Sequence, residues 1–258
     1  MSDPGRLQGA RVDYRVRRIC EAAGGLQIPL DLIASIDEAI DDVCALGDEG
    51  VASDEILRLT PYFGTLWPSA RGLARWLGEH PTWLRGQTVL ELGCGLALPA
   101  LVAARLGARV VAVDRHPDVR PFLARNTALS QVAIEHLQVD WSDPDELGAL
   151  QRRLGAIDLV VGSDLLYEGE LAASLPLAVD ALCGGGARML LADPGRPHLQ
   201  AAITALERRG FTSRLEIRAV PGTLDDTGVD GGTGRTQEVF LFELVRAAAT
   251  SGGAPLTA

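Results

Sequence analysis

Cysteine and histidine are scarce in this 258-residue sequence, with four of each. The cysteines are far apart and form no CxxC pair, and the histidines are equally scattered. Such spacing predicts neither a disulfide framework nor a metal site of the zinc type. We therefore expect a reducing, cytoplasmic compartment and no bound metal.

Long apolar runs and an excess of positive charge are also missing. No stretch approaches the roughly 20 apolar residues of a membrane span, and residues 1–16 carry charge without the apolar segment of a signal peptide. The formal net charge is -10. Because nucleic acids and anionic membranes bind concentrated basic surfaces, we expect neither as a partner.

Lysine is missing altogether, since all 24 basic residues are arginine. A GC-rich genome that favours arginine codons explains this bias more simply than a functional role does. The composition is otherwise that of a globular protein, with 47% hydrophobic residues. A chain of this length and composition buries one substantial core, and forms one domain or one domain with an appendage.

The sequence changes character at about residue 60. Within residues 29–46, apolar side chains recur every three or four positions, which is the spacing of one helical face. This pattern predicts an N-terminal helical appendage over residues 1–60. A main domain is then expected over residues 61–246 and a flexible tail over residues 247–258.

From residue 88 onward, short β-type runs alternate with helical patterns. Strands are predicted over residues 88–92, 108–114, 135–140, 156–164 and 187–193, and two later runs without a helix between them cover residues 212–220 and 237–245. Alternation of this kind is typical of a parallel, doubly wound sheet, and the last two runs predict a closing antiparallel pair. We therefore expect a Rossmann-like α/β fold with a seven-stranded mixed sheet whose last strand is antiparallel.

The first predicted strand ends in a loop that favours a ligand without phosphate. Such sheets bind ligands at the carboxyl ends of their strands. Gly93 and Gly95 allow a tight turn and a close ligand approach, but Leu98 replaces the third glycine of the dinucleotide pattern GxGxxG. Glu91 would also repel a bound pyrophosphate.

The next strand ends supply groups that suit a cationic nucleoside such as S-adenosylmethionine. Asp114 stands where an acidic side chain accepts hydrogen bonds from ribose hydroxyls. Asp140 is predicted to bind the adenine amine, and Trp141 to stack on the ring. Each feature alone has an ordinary explanation as a turn, a helix cap or a core residue, but their order along three successive strands favours one ligand site.

These residues lie in motifs that resemble those of the seven-β-strand S-adenosylmethionine-dependent methyltransferases, over nearly all of residues 60–246. The run LELGCG looks like their motif I. The runs LWP at 66–68, DLVVGSDLLYEGELAASL at 158–175 and LADPGRP at 191–197 are most similar to the protein-lysine methyltransferases that act on the electron-transfer-flavoprotein β subunit. The resemblance implies S-adenosyl-L-methionine as cofactor and S-adenosyl-L-homocysteine as its product.

The resemblance also implies roles for individual residues. Asp164 and Tyr167 match a family Asp-x-x-Tyr pattern and are expected to bind and orient the incoming amine. Arg196 is predicted to pair with a substrate carboxylate or with Asp193. The expected cofactor-binding residues are Trp67, Glu91, Gly93, Cys94, Gly95, Asp114, Asp140, Trp141 and Ser163.

Three functions remain open at this point. The favoured one is N-methylation of a lysine in a protein substrate. The second is N- or O-methylation of a small molecule, because the N-terminal appendage could cap a small-substrate pocket, and the third is a non-catalytic module that binds the cofactor. The two enzymes differ in whether residues 20–60 close over Asp164 and Tyr167. The sequence does not predict the oligomeric state.

Overall fold

A computed structural model describes residues 5–183, 187–222 and 236–246, and these residues form two β-sheets. The smaller sheet is antiparallel and consists of β1 (Arg6–Gln8), β2 (Asp13–Ala23) and β3 (Leu26–Ile33). Two short helices follow it, α1 (Ile36–Ala45) and α2 (Ser53–Leu59). The tail predicted over residues 247–258 lies outside the described residues.

The larger sheet begins after α3 (Pro68–Glu79), which follows a 3-10 turn at Tyr62–Gly64. Its strands are β4 (Thr88–Leu92), β5 (Arg109–Asp114), β6 (Glu135–Gln138), β7 (Leu159–Ser163), β8 (Arg188–Asp193), β9 (Phe211–Pro221) and β10 (Thr236–Arg246). The helices between them are α4 (Leu98–Arg105), α5 (Val119–Ser130), α6 (Pro144–Arg153), α7 (Gly169–Leu182) and α8 (Leu199–Glu207).

The order of strands in the larger sheet is β6-β5-β4-β7-β8-β10-β9. Strands β4 to β8 pair in parallel, and β10 is antiparallel to both of its neighbours. The predicted seven-stranded mixed sheet with an antiparallel last strand is therefore confirmed. The chain order reverses between β4 and β7, which is the position where open α/β sheets bind ligands.

Helices cover both faces of the sheet, so its central strands are apolar on both sides. In β5, Val110 and Ala112 pack into one buried cluster, whereas Val111 and Val113 pack into the other. This alternation explains why the parallel strands are nearly continuous hydrophobic runs in the sequence. None of the helices in the described ranges has the length and hydrophobicity needed to cross a bilayer.

The prediction of a helical appendage is wrong for the first half of that region. Residues 6–33 form the small sheet, and the helix predicted over 29–46 is confined to α1. The apolar spacing misled because β3 is buried on both faces over Leu30–Ile33. The helix begins where Ser35 Oγ accepts the Glu38 N–H at 3.3 Å, in the Ser-x-x-Glu pattern typical of a helix start.

The small sheet packs directly on the main domain. The ring of Tyr14 packs edge-on against Phe122 of α5 at 5.7 Å. The carboxylate of Asp31 is fully buried and accepts from Arg125 at 3.0 Å, while the Asp31 N–H donates to Asn126 at 2.8 Å. Because these buried polar groups satisfy one another, β3 is held in place against α5. The domain boundary at residue 60 stays a sequence prediction.

Candidate functional site

A cavity of about 420 Å³ opens at the carboxyl ends of the central strands. This volume lies in the range of small-ligand sites, about 300–1,000 Å³. The cavity is also walled by the end of α2, by the 3-10 turn at Tyr62–Gly64 and by the loop before α7. The predicted site residues on its wall are Trp67, Gly93, Cys94, Gly95, Asp114, Asp140, Trp141, Ser163, Asp164 and Tyr167.

The loop after β4 requires glycine at two positions. Gly93 and Gly95 have φ angles of 58° and 48°, in the left-handed region that favours glycine. A Cβ atom at Gly93 would lie 2.6 Å from Leu165 Cδ2, so a side chain there would displace the floor of the cavity. Between the glycines, burial raises the pKa of Cys94 well above its usual range, and nearby carboxylates raise it further. Cys94 therefore stays a neutral thiol.

Asp114 connects this loop to the end of β5. Its carboxylate is nearly buried and accepts from the Gly95 N–H at 2.9 Å and from the His116 N–H at 2.9 Å. An ionised carboxylate has about four acceptor positions, so Asp114 retains capacity for hydroxyl donors from a ligand. This arrangement fits the predicted ribose-binding role.

The end of β6 provides an aromatic surface and a second carboxylate. Trp141 is buried within the core and contributes to the cavity wall. Asp140 accepts from the Ser142 N–H at 3.0 Å, and its other oxygen lies 4.0 Å from the Arg115 guanidinium. Both side chains lie on the cavity wall, and their adenine-binding role stays a prediction.

Trp67 and Ser163 both line the cavity. The indole N–H of Trp67 donates to the carbonyl of Tyr62 at 3.1 Å, which fixes the ring beside the 3-10 turn. Trp67 also precedes the first residue of α3, Pro68, whose missing N–H suits a helix start. Ser163 ends β7 and is half-buried on the cavity wall.

Glu91 lies behind the loop and is not among the residues that line the cavity. It is 1% exposed, and its carboxylate accepts from the Ala100 N–H in the first turn of α4 at 2.9 Å. Burial raises the pKa of Glu91 well above its usual range. The structure therefore places this predicted cofactor ligand at a helix start, where a carboxyl satisfies a backbone donor.

The end of the cavity next to β7 contains a carboxylate with one oxygen that has no partner among the described residues. Asp164 is 8% exposed, and its Oδ1 accepts from Arg196 at 2.6 Å. Its Oδ2 has no hydrogen-bond partner among the described residues. Burial raises the pKa of Asp164, and the charge and hydrogen bond of Arg196, together with the nearby Ser69 hydroxyl, oppose this rise. Asp164 also has a positive φ of 58°, a strained conformation for a non-glycine residue that is common at functional sites.

Arg196 is shared between two carboxylates. Besides contacting Asp164, the Arg196 guanidinium lies 3.5 Å from Asp193 Oδ2. The backbone N–H of Arg196 donates to Asp193 Oδ1 at 2.7 Å. Asp193 also accepts from the Gly195 N–H at 2.8 Å, which shapes the turn after β8. Of the two partners predicted for Arg196, the structure therefore provides Asp193, together with Asp164.

Tyr167 stands at the open mouth of the cavity with 48% of its surface exposed. Its hydroxyl accepts from the Arg115 guanidinium at 3.4 Å. A hydroxyl oxygen has two lone pairs, so Tyr167 can accept a second donor. The structure brings Tyr167 and Asp164 to the same cavity, as the Asp-x-x-Tyr spacing predicted.

His116 is a wall residue that the sequence analysis missed. Its ring is buried, lies 4.4 Å from the Phe63 ring, and contacts the Leu59 carbonyl through Nε2 at 3.1 Å. Burial lowers the pKa of His116, so the ring is neutral at physiological pH. It thereby holds the end of α2 against the end of β5. The sequence feature that could have identified His116 is its position two residues after Asp114, just beyond the end of β5.

The sequence profile of a family described as lysine methyltransferase matches residues 61–202. The chain belongs to that family. This membership confirms the predicted methyltransferase class and its protein-lysine branch, and S-adenosylmethionine is the cofactor that it implies.

Several relatives support the assignment. The rat electron transfer flavoprotein beta subunit lysine methyltransferase is 32% identical over 141 residues, which cover 53% of this chain and 52% of the relative. The protein N-terminal and lysine N-methyltransferase EFM7 of Eremothecium gossypii is 34% identical over 196 residues, covering 66% of this chain and 72% of the relative. The chain spans about half the length of the flavoprotein-directed relatives.

A solved structure shows the same fold. The Thermus thermophilus 16S rRNA methyltransferase RsmC, in complex with AdoMet and guanosine, superposes with a TM-score of 0.58 at 19% identity. The match covers 90% of this chain and 50% of that chain. At 19% identity, this match shows that the two chains share a fold and says nothing about the substrate of either.

Proposed function

We propose that the protein transfers a methyl group from S-adenosylmethionine to the side-chain amine of a lysine in a polypeptide. Membership of the lysine methyltransferase family supports this activity. The observation that carries the proposal is the position of Asp164 and the half-exposed Tyr167 on the wall of one cavity, with Asp164 Oδ2 lacking a hydrogen-bond partner among the described residues. A buried acceptor without a partner is costly unless a ligand satisfies it, and an amine N–H is a suitable donor.

The residues on the other side of the cavity fit the cofactor. Asp114 would accept from the ribose hydroxyls, Trp141 would stack on adenine, and the loop with Gly93 and Gly95 would leave room for the methionine part. When bound, S-adenosylmethionine supplies an electrophilic methyl group on a positively charged sulfur. The protein then has to align a lone pair with that methyl group.

The acceptor end attracts a cation and binds it as an amine. Asp164 and Asp193 share one guanidinium, so this cluster has a net charge of about one negative unit that draws a lysine ammonium inward. Deprotonation of a lysine at neutral pH costs about 4.6 kcal/mol from its reference pKa of ~10.4. Transfer out of water lowers this cost because desolvation disfavours the ammonium form.

Asp164 and Tyr167 would then orient the neutral amine. Its two N–H groups donate to Asp164 Oδ2 and to the Tyr167 hydroxyl, and its lone pair is left pointing to the methyl group. The proton lost beforehand leaves to water through the open mouth, since Tyr167 is half exposed. After transfer, the nitrogen carries the new methyl group and the positive charge.

The shape of the mouth favours a polypeptide over a small molecule. Residues 57–63 contribute to the cavity wall, but Tyr62 and Tyr167 are 50% and 48% exposed. The N-terminal region therefore contributes to the cavity wall and leaves the mouth at Tyr167 open. A lysine that projects from a protein surface can reach such an opening.

We also infer a reducing compartment such as the cytoplasm. The four cysteines are free thiols, two of them exposed. Exposed unpaired thiols are typical of reducing compartments.

Methyl-labelled S-adenosylmethionine tests the proposed activity in a fractionated lysate. We expect label on lysine residues of the polypeptide fraction, and none with Asp164→Asn, which keeps the shape of the side chain but removes its charge. S-adenosylhomocysteine binding, measured by calorimetry, should be unchanged in that variant. Label confined to small molecules would favour the small-molecule methyltransferase. Cofactor binding without any transfer would favour the non-catalytic module.

A further inference from the structure

Half of the large hydrophobic side chains exposed in the described residues surround a single cavity. Six such side chains are exposed, and Leu57, Tyr62 and Tyr167 are the three that line the candidate site. They come from α2, the 3-10 turn and the loop before α7, so the chain brings them together only by folding. We call these three residues the apolar rim. Scattered exposed hydrophobics are ordinary, whereas apolar residues gathered at a cavity are typical of interaction sites.

The helices beside the apolar rim have a strongly acidic surface. Residues 37–55, which include α1 and the start of α2, contain eight acidic residues and no basic one. Glu38 and Glu55 pair with Arg15 and Arg11, and the other six have no ion-pair partner within the described ranges. The two helices pack together through a small apolar cluster that contains Val43, Leu46 and Leu59. We call this pair the acidic hairpin.

The acidic hairpin is continuous with the acceptor end of the site. Leu57 and Arg58 of α2 lie on the cavity wall, and Asp164 lies on the same wall. Asp164 is only 8% exposed, and its Oδ2 has no hydrogen-bond partner among the described residues. The acidic helices therefore reach the cavity that contains Asp164 through Leu57 and the basic Arg58 at the end of α2.

We propose that the acidic hairpin and the apolar rim dock the substrate polypeptide on either side of its target lysine. The segment that fits has an apolar side chain next to the lysine, to cover Leu57 and Tyr62, and further basic residues opposite the unpaired carboxylates of residues 37–55. This inference rests on the proposed function and specifies its substrate class. Charge complementarity favours this occupant, because opposite potentials guide association and select partners.

Synthetic peptides with a single lysine test this proposal with the full chain and labelled S-adenosylmethionine. One set varies the residue next to the lysine between leucine, serine and glutamate, and a second set places arginine or glutamate farther away. We expect the lowest KM for peptides with leucine beside the lysine and arginine farther away. Raised salt should increase the KM of the arginine peptides, since exposed charges are screened.

Variants of the protein locate the preference on its surface. The double variant Leu57→Ser with Tyr62→Ser should raise KM for leucine peptides by at least about tenfold, since covering even one such side chain is worth that factor in affinity, and should leave kcat unchanged. The matched control is Leu177→Ser with Ile217→Ser, which alters equally exposed apolar residues away from the cavity. Asp41→Asn with Asp42→Asn should reduce the preference for arginine. Affinity for S-adenosylhomocysteine, measured by calorimetry, reports correct folding of each variant.

The possible failures are distinguishable. Methylation of peptides without sequence preference, or an equal KM in rim and control variants, overturns the docking proposal and leaves the proposed function intact. Label that appears only on small molecules overturns both.

Discussion

The two halves of the cavity differ in how completely their polar atoms are paired. In the cofactor half, both oxygens of Asp114 accept backbone N–H groups, and the loop with Gly93 and Gly95 is held against the next strand. In the acceptor half, Asp164 has one oxygen bound by Arg196 and one without a partner in the described residues. Each oxygen of Asp114 therefore has a protein donor, whereas only one oxygen of Asp164 has one among the described residues.

We propose that this difference reflects what each half recognises. A cofactor has one shape, so backbone hydrogen bonds and glycines can preorganise its site at little cost. An acceptor amine arrives attached to a larger partner and changes its protonation state. A half-exposed Tyr167 and a carboxylate with a free oxygen suit such a group.

The largest effect is expected in the cofactor half, from Gly93→Arg. The residue has a φ of 58°, and its Cβ would lie 2.6 Å from Leu165 Cδ2. Binding of S-adenosylhomocysteine should be abolished in calorimetry. Gly155→Arg is the control, because no atom lies within 4 Å of a Cβ added there and its φ is not positive. Unchanged affinity in a folded Gly93→Arg variant would remove the loop from the cofactor site.

Arg196→Met should have the next largest effect, on the acceptor half alone. Removal of the guanidinium takes away the positive charge that favours the Asp164 carboxylate, so the pKa of Asp164 rises further. The acid limb of the kcat/KM profile should move upward by about 1–3 pH units, since a carboxylate beside an arginine is lowered by that amount. Affinity for S-adenosylhomocysteine should not change.

The control for this pH profile is Arg209→Met, which removes an arginine that lies 3.9 Å from Asp180, a residue of α7 outside the cavity wall. An acid limb that moves equally in both variants would indicate a general effect of charge. A limb that stays in place in Arg196→Met would show that Asp164 does not limit the rate.

Tyr167→Phe should give a smaller loss. The variant removes one hydrogen bond that orients the amine and preserves the ring at the mouth. We expect kcat to fall about tenfold, the value of one hydrogen bond of about 1.4 kcal/mol in the transition state. The affinity for S-adenosylhomocysteine should be retained. Full activity in this variant would exclude the hydroxyl from the reaction.

The smallest effect should come from Glu91→Gln, which tests whether this residue belongs to the loop or to the ligand site. Burial raises the pKa of Glu91 above its usual value near 4.5, so the folded state binds this proton more tightly than the unfolded state. Its contribution to stability is present below pH 4.5 and is lost as pH rises toward the raised pKa. The Tm of the variant should therefore rise relative to that of the wild type as pH increases, by about 2–4 °C for each kcal/mol of stability gained.

Thermal unfolding at several pH values measures this gain, with the exposed Glu170→Gln as the control. Parallel curves for wild type and Glu91→Gln would contradict the burial argument. A large loss of S-adenosylhomocysteine affinity would return Glu91 to the cofactor site.

The predicted sheet and much of the candidate site were readable because their signals are local. Apolar runs, glycines and the acidic residues after each strand lie within a few positions of one another, and parallel strands bring their ends to one edge. The role of Glu91 was harder to predict. Its neighbours along β4 are buried on both faces of the sheet, so only packing decides whether Glu91 faces the cavity or α4. Ser35 and Glu38 mark the start of α1 in the sequence. The prediction of a longer helix followed the apolar spacing of residues 29–46 instead.

The sequence by itself determined the fold class, the family and the residues that stand at the strand ends, because each depends on short-range pattern and chemistry. Tertiary structure alone decided that Asp164 Oδ2 has no hydrogen-bond partner among the described residues, that Arg196 is shared by Asp164 and Asp193, and that Leu57 and Tyr62 line the same cavity as Tyr167. These facts depend on contacts between segments up to about 100 residues apart, whose relative orientation is set by packing of the whole core and leaves no local trace.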